Sequence, residues 1–406
     1  MPRQSIDQID VQGQRVLVRV DFNVPLDAHG CIVDDRRIRM AIPTLRSVLD
    51  RGGSLVLMSH LGRPAGTGWE AKYSMQPAAD RLSELLPDAR VRVPGSDCIG
   101  ADAVEAVESL EPGGVIVLEN LRFHSGEKQG DAAFAQVLAG FGDIYVNDAF
   151  GTAHRSHASM VAVPEAMSDR PRVAGLLLLK ELQFLAEAIE HASAPFIAIL
   201  GGAKVSDKLG AIGNLLPRVD AVIIGGGMAY TFLKTQGMEI GDSLYEPDMA
   251  REAEQVLAAA AEAGTQILLP VDHQCAPSFD AIDEAVTITG DIPDGMMGLD
   301  LGPSSAAAAA DVLRGAKTIV WNGPMGVFER PPCDAGSLAV AQAVAKATAD
   351  GAITIIGGGE TAAAVEQFSL ADDVSHVSTG GGASLQMLEG RSFCSVELLD
   401  EEPNQS

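Results

Sequence analysis

The sequence predicts an α/β protein of two doubly wound domains, each built on a parallel β-sheet. Short aliphatic runs recur along the 406 residues, and each is followed by glycines or polar residues and then by helical spacing. Runs such as VLVRV (16–20) and FIAIL (196–200) are apolar almost throughout, which is typical of strands buried on both faces. The length favours two domains over one.

The predicted strands fall into two groups along the chain. In order, they lie within 16–25, 54–64, 115–123 and 144–155, and then within 196–205, 221–230, 266–272, 317–326 and 352–361. Connecting segments such as 41–52 and 251–264 have helical spacing and end in glycine. Strands that alternate with helices imply right-handed crossovers, so we expect two Rossmann-like sheets.

A long amphipathic helix is expected over 176–192, between the two groups of strands. It gives an N-terminal domain at 1–175, a C-terminal domain at 176–385 and a C-terminal segment at 386–406. One large sheet with an ordinary crossover helix is the alternative, which the length favours less.

Composition limits the partners of the chain. With 29 Lys+Arg against 55 Asp+Glu, the net charge is −26, which argues against nucleic acid or an anionic membrane as a partner. The five cysteines are far apart and form no C-x-x-C, which favours reduced thiols over disulfides or a zinc site. The N-terminal segment lacks the apolar core of a signal peptide, and no apolar run reaches the roughly 20 residues of a membrane span. We expect a cytoplasmic protein.

Polar and cationic residues follow the predicted strands of the first domain, where an open parallel sheet binds its ligands. They are Asp21, Asn23, His60, Arg63, Arg122, His154 and Arg155, together with Arg36, Arg37 and Arg39. Arginine matches phosphate and carboxylate, so the set predicts a substrate with several negative charges. For any single arginine, a surface ion pair is the alternative. A metal site at His154 and His157 lacks a third ligand nearby.

Glycine clusters follow the predicted strands of the second domain, at 201–202, 225–227, 357–359 and 380–382. They predict a nucleotide site, although neither the P-loop nor the dinucleotide fingerprint is met. Lys204 and Lys208 lie four residues apart, are expected on one helix face and suit a polyphosphate. Asp207 and Glu360 are candidate Mg²⁺ ligands, with a solvated surface or a helix cap as the alternative for each.

An anion-binding half and a nucleotide-binding half predict phosphoryl transfer by positioning and charge neutralisation, without a catalytic triad. Two alternatives remain at this point. The failed dinucleotide fingerprint argues against a nicotinamide oxidoreductase. The full set of cations argues against a binding protein without catalytic activity.

Ten motifs, in order along the chain, carry a resemblance to a known family. They are RVDFNVP (19–25), DDRRIR (34–39), SHLGRP (59–64), ENLRF (119–123), VNDAFGTAHRSHAS (146–159), LGGAKVSDKL (200–209), GGGMAYTFL (225–233), WNGPMGVFE (321–329), GGGET (357–361) and STGGGASL (378–385). With them the chain resembles the phosphoglycerate kinase family over nearly its whole length.

The resemblance implies reversible transfer of the acyl phosphate of 1,3-bisphosphoglycerate to Mg·ADP, giving 3-phosphoglycerate and ATP in glycolysis. It implies two domains that close on their substrates across a cleft, no general base, a monomer, and a C-terminal segment that returns to the first domain. Arg37 would also steady the charge of the moving phosphoryl group. The residues implied to bind the glycerate substrate are Asp21, Asn23, Arg37, His60, Arg63, Arg122 and Arg155.

The resemblance also implies the nucleotide site. Lys204 would follow the transferred phosphoryl group, and Glu360, where the family usually has Asp, would meet the Mg²⁺ that accompanies ADP or ATP. The implied catalytic set is Arg37, Lys204, Gly357 and Gly380. The other implied nucleotide contacts are Gly201, Gly202, Gly225 and Gly226 at the adenine, Glu329 at the ribose, and Lys208, Asn322, Gly358, Gly359 and Thr361 near the phosphates.

Overall fold

The chain forms two compact units. The first contains Met1–Leu182 and Ser392–Ser406, and the second contains Gln183–Arg391. A computed structural model describes residues 2–402, apart from the side chains of 186–190. The division after Leu182 lies seven residues beyond the predicted one, because the start of the long helix packs with the first unit, where Leu176 contacts its core.

The first unit is built on a parallel sheet. Its strands are β1 (Arg15–Val20), β2 (Ser54–Met58), β3 (Arg90–Arg92), β4 (Gly114–Val117), β5 (Ile144–Asp148) and β6 (Arg172–Ala174). Its helices are α1 (Arg36–Leu49), α2 (Gln76–Leu85), α3 (Ala101–Glu108), α4 (Ser125–Gln129), α5 (Ala132–Ala139), α6 (Ala162–Ala166) and the start of α7 (Leu176–Glu190). Within the described residues the strand order is β3-β4-β2-β1-β5-β6, and every pairing is parallel. The carboxyl ends of β4, β2, β1 and β5 therefore lie side by side.

Strand β1 shows how the sequence forms two layers around this sheet. Val16, Val18 and Val20 belong to one hydrophobic cluster with Ile38 of α1. Arg19 lies between two of these valines in sequence, so its side chain points to the opposite face. It is fully buried there, which makes it an exception within an apolar strand.

The second unit repeats the architecture. Its remaining elements are β7 (Phe196–Leu200), α8 (Leu209–Leu215), β8 (Ala221–Ile224), α9 (Met228–Thr235), α10 (Ala250–Ala263), β9 (Gln266–Leu268), β10 (Asp272–Ala276), β11 (Val286–Thr289), β12 (Met297–Leu301), α11 (Pro303–Leu313), β13 (Thr318–Asn322), α12 (Ala335–Ala349), β14 (Ile353–Gly357), α13 (Gly359–Gln367), β15 (His376–Val377) and α14 (Gly381–Leu388). Across the described part of the chain, the parallel sheet has the order β15-β14-β13-β7-β8-β9. The ends of β14, β13, β7 and β8 are neighbours. No helix in residues 2–402 is both long and apolar enough to cross a membrane.

A small antiparallel sheet in the second unit, of order β11-β10-β12, was not predicted. Its strands mix polar and apolar residues, as in DHQCA (272–276) and VTIT (286–289), and lack the continuous apolar run by which nine other strands were identified. The short strands β3, β6 and β15 were missed for the same reason.

The C-terminal segment packs against the first unit and carries a last short helix, α15 (Cys394–Glu397). Asp400 accepts the backbone N–H of Gln4 at its carbonyl (2.9 Å) and pairs with Arg172 through its carboxylate (3.0 Å). The Ser395 hydroxyl donates to the carbonyl of Ala153 at 2.7 Å. Residues 386–391 of the predicted segment stay with the second unit, so the return to the first unit begins at Ser392.

Candidate active site

In the first unit, the loops that follow β1 and β2 are tied to each other. The backbone N–H of Phe22 donates to the Ser59 hydroxyl at 2.9 Å, and the Asn23 side-chain oxygen accepts the N–H of Gly62 at 2.8 Å. These bonds cross between neighbouring strands, so they fix the loop with Asp21 and Asn23 against the loop that carries His60.

Arg37 lies in the first turn of α1, which begins five residues earlier than the helical segment identified in the sequence. Its Nη1 donates to Asp21 Oδ2 at 2.9 Å. Asp21 is buried, whereas about a third of the Arg37 side chain is exposed. The pair joins two of the predicted site residues and leaves the other donors of the guanidinium available to a ligand.

His60 is buried and held in one tautomer. Its Nδ1 lies 3.1 Å from Nη2 of Arg19, and because a guanidinium only donates, Nδ1 must accept and Nε2 must carry the proton. Burial lowers the pKa of His60 well below its usual value, and the charges of Arg19 and Arg122 lower it further. His60 is therefore a neutral donor at physiological pH rather than a cation.

Arg122 is the most constrained cation of the group. Its Nη1 donates to the carbonyl of Gly62 at 2.7 Å, while Nε and Nη2 are buried without a partner among the described residues. Burial, followed by repulsion from Arg155 and Arg19, lowers the pKa of Arg122 to about 10, which still leaves it charged at neutral pH. Buried hydrogen-bond donors without acceptors are rare in native proteins. An anionic ligand would accept hydrogen bonds from both unpartnered nitrogens of the Arg122 guanidinium.

These side chains border a cavity of about 310 Å³. Its lining consists of Asn23, His60, Gly62, Arg63, Arg122, Lys128, Arg155 and His157. None of the described residues that line the cavity is acidic. No described Asp or Glu has a carboxylate oxygen within 4.0 Å of the guanidinium nitrogens of Arg63, Arg122 or Arg155. The cavity is a concentrated positive site in a chain of net charge −26. Arg63, Arg122 and Arg155 are thus not taken up by local acids, whereas Arg37 pairs with Asp21 and Arg39 pairs with Asp35.

A buried polar network beneath this cavity was missed by the sequence analysis. Nε of Arg19 donates to the Ser159 hydroxyl at 2.9 Å, and that hydroxyl donates to Glu127 Oε1 at 2.7 Å. Glu127 also accepts the Ser159 N–H at 3.0 Å. Arg19 in turn holds His60, so the network orients a cavity residue from below. The available signal was the arginine itself, which interrupts an otherwise apolar strand.

The two histidines of AHRSH have different surroundings, and neither belongs to a cluster of three metal-ligating side chains among the described residues. His157 lines the cavity and lies 3.6 Å from Glu127, whereas Nδ1 of His154 is buried without a partner among the described residues. The preceding Ala153 is held by Ser395 of the C-terminal segment. That bond anchors the loop that presents Arg155.

In the second unit, the glycine loops approach each other closely. Gly202 N–H donates to the carbonyl of Pro324 at 3.0 Å, and Gly226 N–H donates to that of Met325 at 2.8 Å. A Cβ at Gly201 would lie 2.2 Å from the Pro324 oxygen, and one at Gly226, whose φ is +67°, would lie 2.6 Å from the Gly202 nitrogen. Backbone packing therefore already requires glycine at these two positions, independently of any ligand.

The prediction that Lys204 and Lys208 share a helix face is wrong. Helix α8 begins only at Leu209, and the residues from Gly201 to Lys208 form bends and turns, with Lys208 N–H bonded to the Val205 carbonyl at 2.8 Å. The glycine pair is locked into the loop packing, which prevents helical conformation there. Lys204 is exposed at the loop surface.

Lys208 is held at the end of β13. Its Nζ donates to the side-chain oxygen of Asn322, and burial lowers its pKa. The Asn322 amide nitrogen is buried without a partner within residues 2–402. Thr361 is buried, and its hydroxyl accepts the N–H of Gly323 at 2.7 Å, so it ties α13 to the β13 loop.

Two helix N-termini converge near this point. Helix α13 begins after Gly358 and α14 begins after Gly380, and a Cβ placed on Gly381 would lie 3.3 Å from the Gly359 nitrogen. Gly357 ends β14 beside Asn322, whose amide nitrogen lies 2.9 Å from the site of its missing Cβ. The unpaired N–H groups and positive ends of two helices provide a site for anions.

The remaining predicted residues of the second unit are on the surface. Glu360 lies in the first turn of α13, and Glu329 lies in the turn before α12; both are exposed, as is Asp207. The Glu360 carboxylate faces solvent in the first turn of α13, where a cation can reach it.

Comparison with known proteins decides the family. Residues 6–391 match the family model described as phosphoglycerate kinase. The chain belongs to the phosphoglycerate kinase family. It is 57% identical over 405 residues to the phosphoglycerate kinase of Rhodopirellula baltica and 52% identical over 403 residues to that of Chloroflexus aurantiacus, covering 99% of this chain and 100% of each relative.

Solved phosphoglycerate kinases share the architecture. The structure from Coxiella burnetii matches with a TM-score of 0.85 at 38% identity, and that from Pyrococcus horikoshii with 0.84 at 30%; each match covers 98% of both chains. The two Rossmann-like parallel-sheet domains predicted from the sequence are confirmed, and the chain is a phosphotransferase of glycolysis. Membership in this family excludes a nicotinamide oxidoreductase and a binding protein without catalytic activity.

Proposed function

We propose that this member of the family holds 3-phosphoglycerate or 1,3-bisphosphoglycerate in the cationic cavity of its first unit. The observation that carries the proposal is the pair of buried, unpartnered donors on Arg122 inside a cavity whose described lining has no acid. Arg63 and Arg155 are exposed and can turn towards a phosphate, whereas Arg122 and His60 are fixed before a ligand arrives. The substrate-binding set remains Asp21, Asn23, Arg37, His60, Arg63, Arg122 and Arg155.

The nucleotide would bind to the loops of the second unit. The converging N-termini of α13 and α14 would donate backbone N–H groups from Gly357–Gly359 and Gly380 to phosphate oxygens. Lys208 and Asn322 would add a cation and an amide donor beside them. Gly201, Gly202, Gly225 and Gly226 would leave a flat backbone surface for the adenine, with Glu329 at the ribose.

Mg²⁺ would arrive with the nucleotide and reduce the charge repulsion between its phosphates. Glu360 fits this role by its chemistry, since an exposed carboxylate is a ligand that Mg²⁺ accepts. Its side chain is one methylene longer than aspartate, so it reaches farther from the start of α13.

Transfer itself would need charge neutralisation rather than proton removal. The acceptor carboxylate of 3-phosphoglycerate is ionised at neutral pH, so no general base is needed to remove a proton from it. His60 is neutral and would act among the arginines as a hydrogen-bond donor. Arg37 and Lys204 would stabilise the charge of the moving phosphoryl group. We propose that closure of the two units on bound substrates joins the two half-sites and excludes water.

A coupled assay with 3-phosphoglycerate and Mg·ATP tests the activity, and calorimetric titration with 3-phosphoglycerate tests the site. Arg122→Met keeps much of the side-chain volume and removes the donors. We expect it to weaken 3-phosphoglycerate binding by at least about 10-fold while ADP binding is unchanged, because a charge-assisted hydrogen bond contributes about 1.5–3 kcal/mol. Unchanged 3-phosphoglycerate affinity in a folded Arg122→Met variant would show that the cationic cavity does not bind this substrate.

A cytoplasmic location and a monomeric state complete the proposal. The five cysteines are all free in the structure, which suits a reducing compartment. Analytical ultracentrifugation of the chain at enzyme-assay concentrations tests the monomer.

A further inference from the structure

A second and larger cavity of about 780 Å³ lies in the first unit. It shares one short segment with the cationic cavity: Arg122 borders the cationic cavity, whereas Phe123 and His124 border the larger one. Its lining includes the half-exposed Trp69 and the ring of Phe134, against which the His124 ring packs at 5.1 Å between centroids. Nothing in the proposed phosphoryl transfer uses this cavity.

Three side chains of different chemistry meet beside it: Asp97 and His124 line the cavity, and Cys98 is buried next to Asp97. Asp97, Cys98 and His124 each offer one ligand atom, and the three atoms lie within 4.8 Å of one another. Within residues 2–402 this is the one such group of three or more His, Cys, Asp and Glu side chains. Nε2 of His124 already lies 2.7 Å from Asp97 Oδ1.

The backbone holds the three groups in place. Asp97 Oδ1 accepts the N–H of Ile99 at 3.0 Å, which fixes the turn that contains Cys98. His124 N–H donates to the carbonyl of Leu121 at 3.1 Å, and its ring rests on Phe134. Both loops are therefore defined independently of any contact between the three side chains.

We propose that Asp97, Cys98 and His124 bind one Zn²⁺ ion, with a fourth coordination position open to the 780 Å³ cavity. Sulfur, nitrogen and carboxylate oxygen together are the donors of zinc sites, whereas Mg²⁺ and Ca²⁺ select oxygen alone. Zinc bond lengths of about 2.0–2.3 Å put tetrahedral ligands about 3.5 Å apart. Asp97 Oδ1 and His124 Nε2, now 2.7 Å apart, would therefore separate by about 1 Å, and the Cys98 sulfur, within 4.8 Å of the other ligand atoms, would approach by about 1 Å. Three protein ligands with a free fourth position are the pattern of zinc sites that accept an exchangeable ligand.

The burial of Cys98 argues against the alternative that this triad is a catalytic one with Cys98 as the nucleophile. The side chain is 1% exposed, so a substrate cannot reach the thiol as a nucleophile. A metal ion, by contrast, is small enough to enter from the cavity side, where Asp97 is partly exposed, and it displaces the thiol proton on binding.

Cobalt substitution provides the test, because Co²⁺ bound to a thiolate absorbs in the near ultraviolet and Co²⁺ bound to oxygen ligands does not. The full chain, freed of metal by a chelator, is titrated with Co²⁺ and then with Zn²⁺ at mildly alkaline pH. We expect one thiolate–cobalt band per chain, removed by one equivalent of Zn²⁺. A Co²⁺ ion at the Glu360 site would have no thiolate band, so the two sites are distinguished.

Variants assign the ligands. We expect Cys98→Ser to abolish the band, and Asp97→Asn or His124→Gln to weaken Zn²⁺ binding by at least about 10-fold. Cys31→Ser and Cys394→Ser, at the two exposed cysteines, are matched controls that should keep the band. Asp97 and His124 are partly exposed, so their variants decide the question even where Cys98→Ser fails to fold.

Two results would overturn the zinc site. One is the absence of a thiolate band in the folded, reduced wild-type chain. The other is a band and a Zn²⁺ affinity that survive both Asp97→Asn and His124→Gln, which would leave the Asp97–His124 contact as a simple hydrogen bond.

Discussion

In the first unit, the loops after β1, β2, β4 and β5 present charged side chains, whereas in the second unit the loops after β7, β8, β13 and β14 present mainly glycine backbone. Both sets lie at the carboxyl edge of a parallel sheet, where such folds bind ligands. The first site is made of guanidinium groups, and the second of N–H groups at the starts of α13 and α14.

The difference shows what each kind of site requires of the fold around it. A site made of polar side chains needs buried partners that fix the orientation of those side chains. Here Arg19, Ser159 and Glu127 form a fully buried hydrogen-bond network that holds His60. Breaking one partner of a buried charge pair costs about 3–5 kcal/mol, so these residues are constrained without touching a ligand. A backbone site needs no such network. Its loops pack closely instead, and at Gly201, Gly226 and Gly357 a Cβ would lie within 3.0 Å of a neighbouring atom.

The largest effect is expected from Arg37→Ala. We expect kcat to fall by about 10²-fold or more with folding intact, since loss of one preorganised charge contact can cost that much. The coupled assay measures kcat, and thermal melting checks the fold. Arg39→Ala, two residues along the same helix and largely exposed in a pair with Asp35, is the matched control and should retain activity. A near-normal kcat in Arg37→Ala would remove this side chain from the mechanism.

The next effect separates the two lysines of the glycine loop. Lys204 is exposed, so we expect Lys204→Ala to lower kcat by about 10- to 100-fold and to change ADP affinity little. Lys208 is held by Asn322, and Lys208→Ala should mainly weaken nucleotide binding. The measurements are kcat in the coupled assay and Kd for ADP, each determined for both variants. If Lys204→Ala simply fails to bind ADP, the assignment is wrong.

The two sites also differ in how far the sequence could predict them. Arg122 could be found because a charged residue after an apolar run is visible locally. Arg19 and its network could not be assigned, because Ser159 and Glu127 are 140 and 32 residues from their respective partners, Arg19 and Ser159. The same holds for Asp97 and His124, which lie 27 residues apart and meet only in the folded chain.

In the second unit, local patterns predicted five strands of the parallel sheet and the helix over 251–264, which the structure shows as α10. They failed where packing overrides local preference. Lys204 and Lys208 have helical spacing, but the bonds of Gly202 and Gly226 to the loop at 324–325 hold the chain in turns. The antiparallel sheet was missed because its short strands bury little continuous apolar surface.

A smaller effect tests whether the glycine loops are backbone-packed as described. Gly226→Ala places a Cβ 2.6 Å from the Gly202 nitrogen at a φ of +67°, so we expect a loss of about 1–3 kcal/mol in the free energy of unfolding. Gly213→Ala, inside α8 and with open space at its Cβ, is the matched control and should gain about 0.5–1 kcal/mol. Denaturant unfolding measures both. Equal stability of the two variants would contradict the close packing of the loops.

The last effect, gradual in pH, concerns Asp300, a buried carboxyl group on β12 of the second unit's antiparallel sheet. Burial raises the pKa of Asp300 to about 7, against 3.8 for an ordinary aspartate, even though Gly336 N–H donates to it. Because the folded state binds this proton more tightly than the unfolded state, its contribution to stability is complete below 3.8 and is lost as the pH rises towards 7.

The loss amounts to at most about 1.4 kcal/mol per pH unit within that window. Asp300→Asn cannot titrate, so its free energy of unfolding, measured in denaturant across the window, should fall less steeply with pH than that of the wild type. Asp350→Asn, at an exposed position paired with Lys346, should follow the wild-type slope. Parallel curves for Asp300→Asn and the wild type would mean that Asp300 stays ionised in the folded chain, hydrogen-bonded strongly enough to offset its burial.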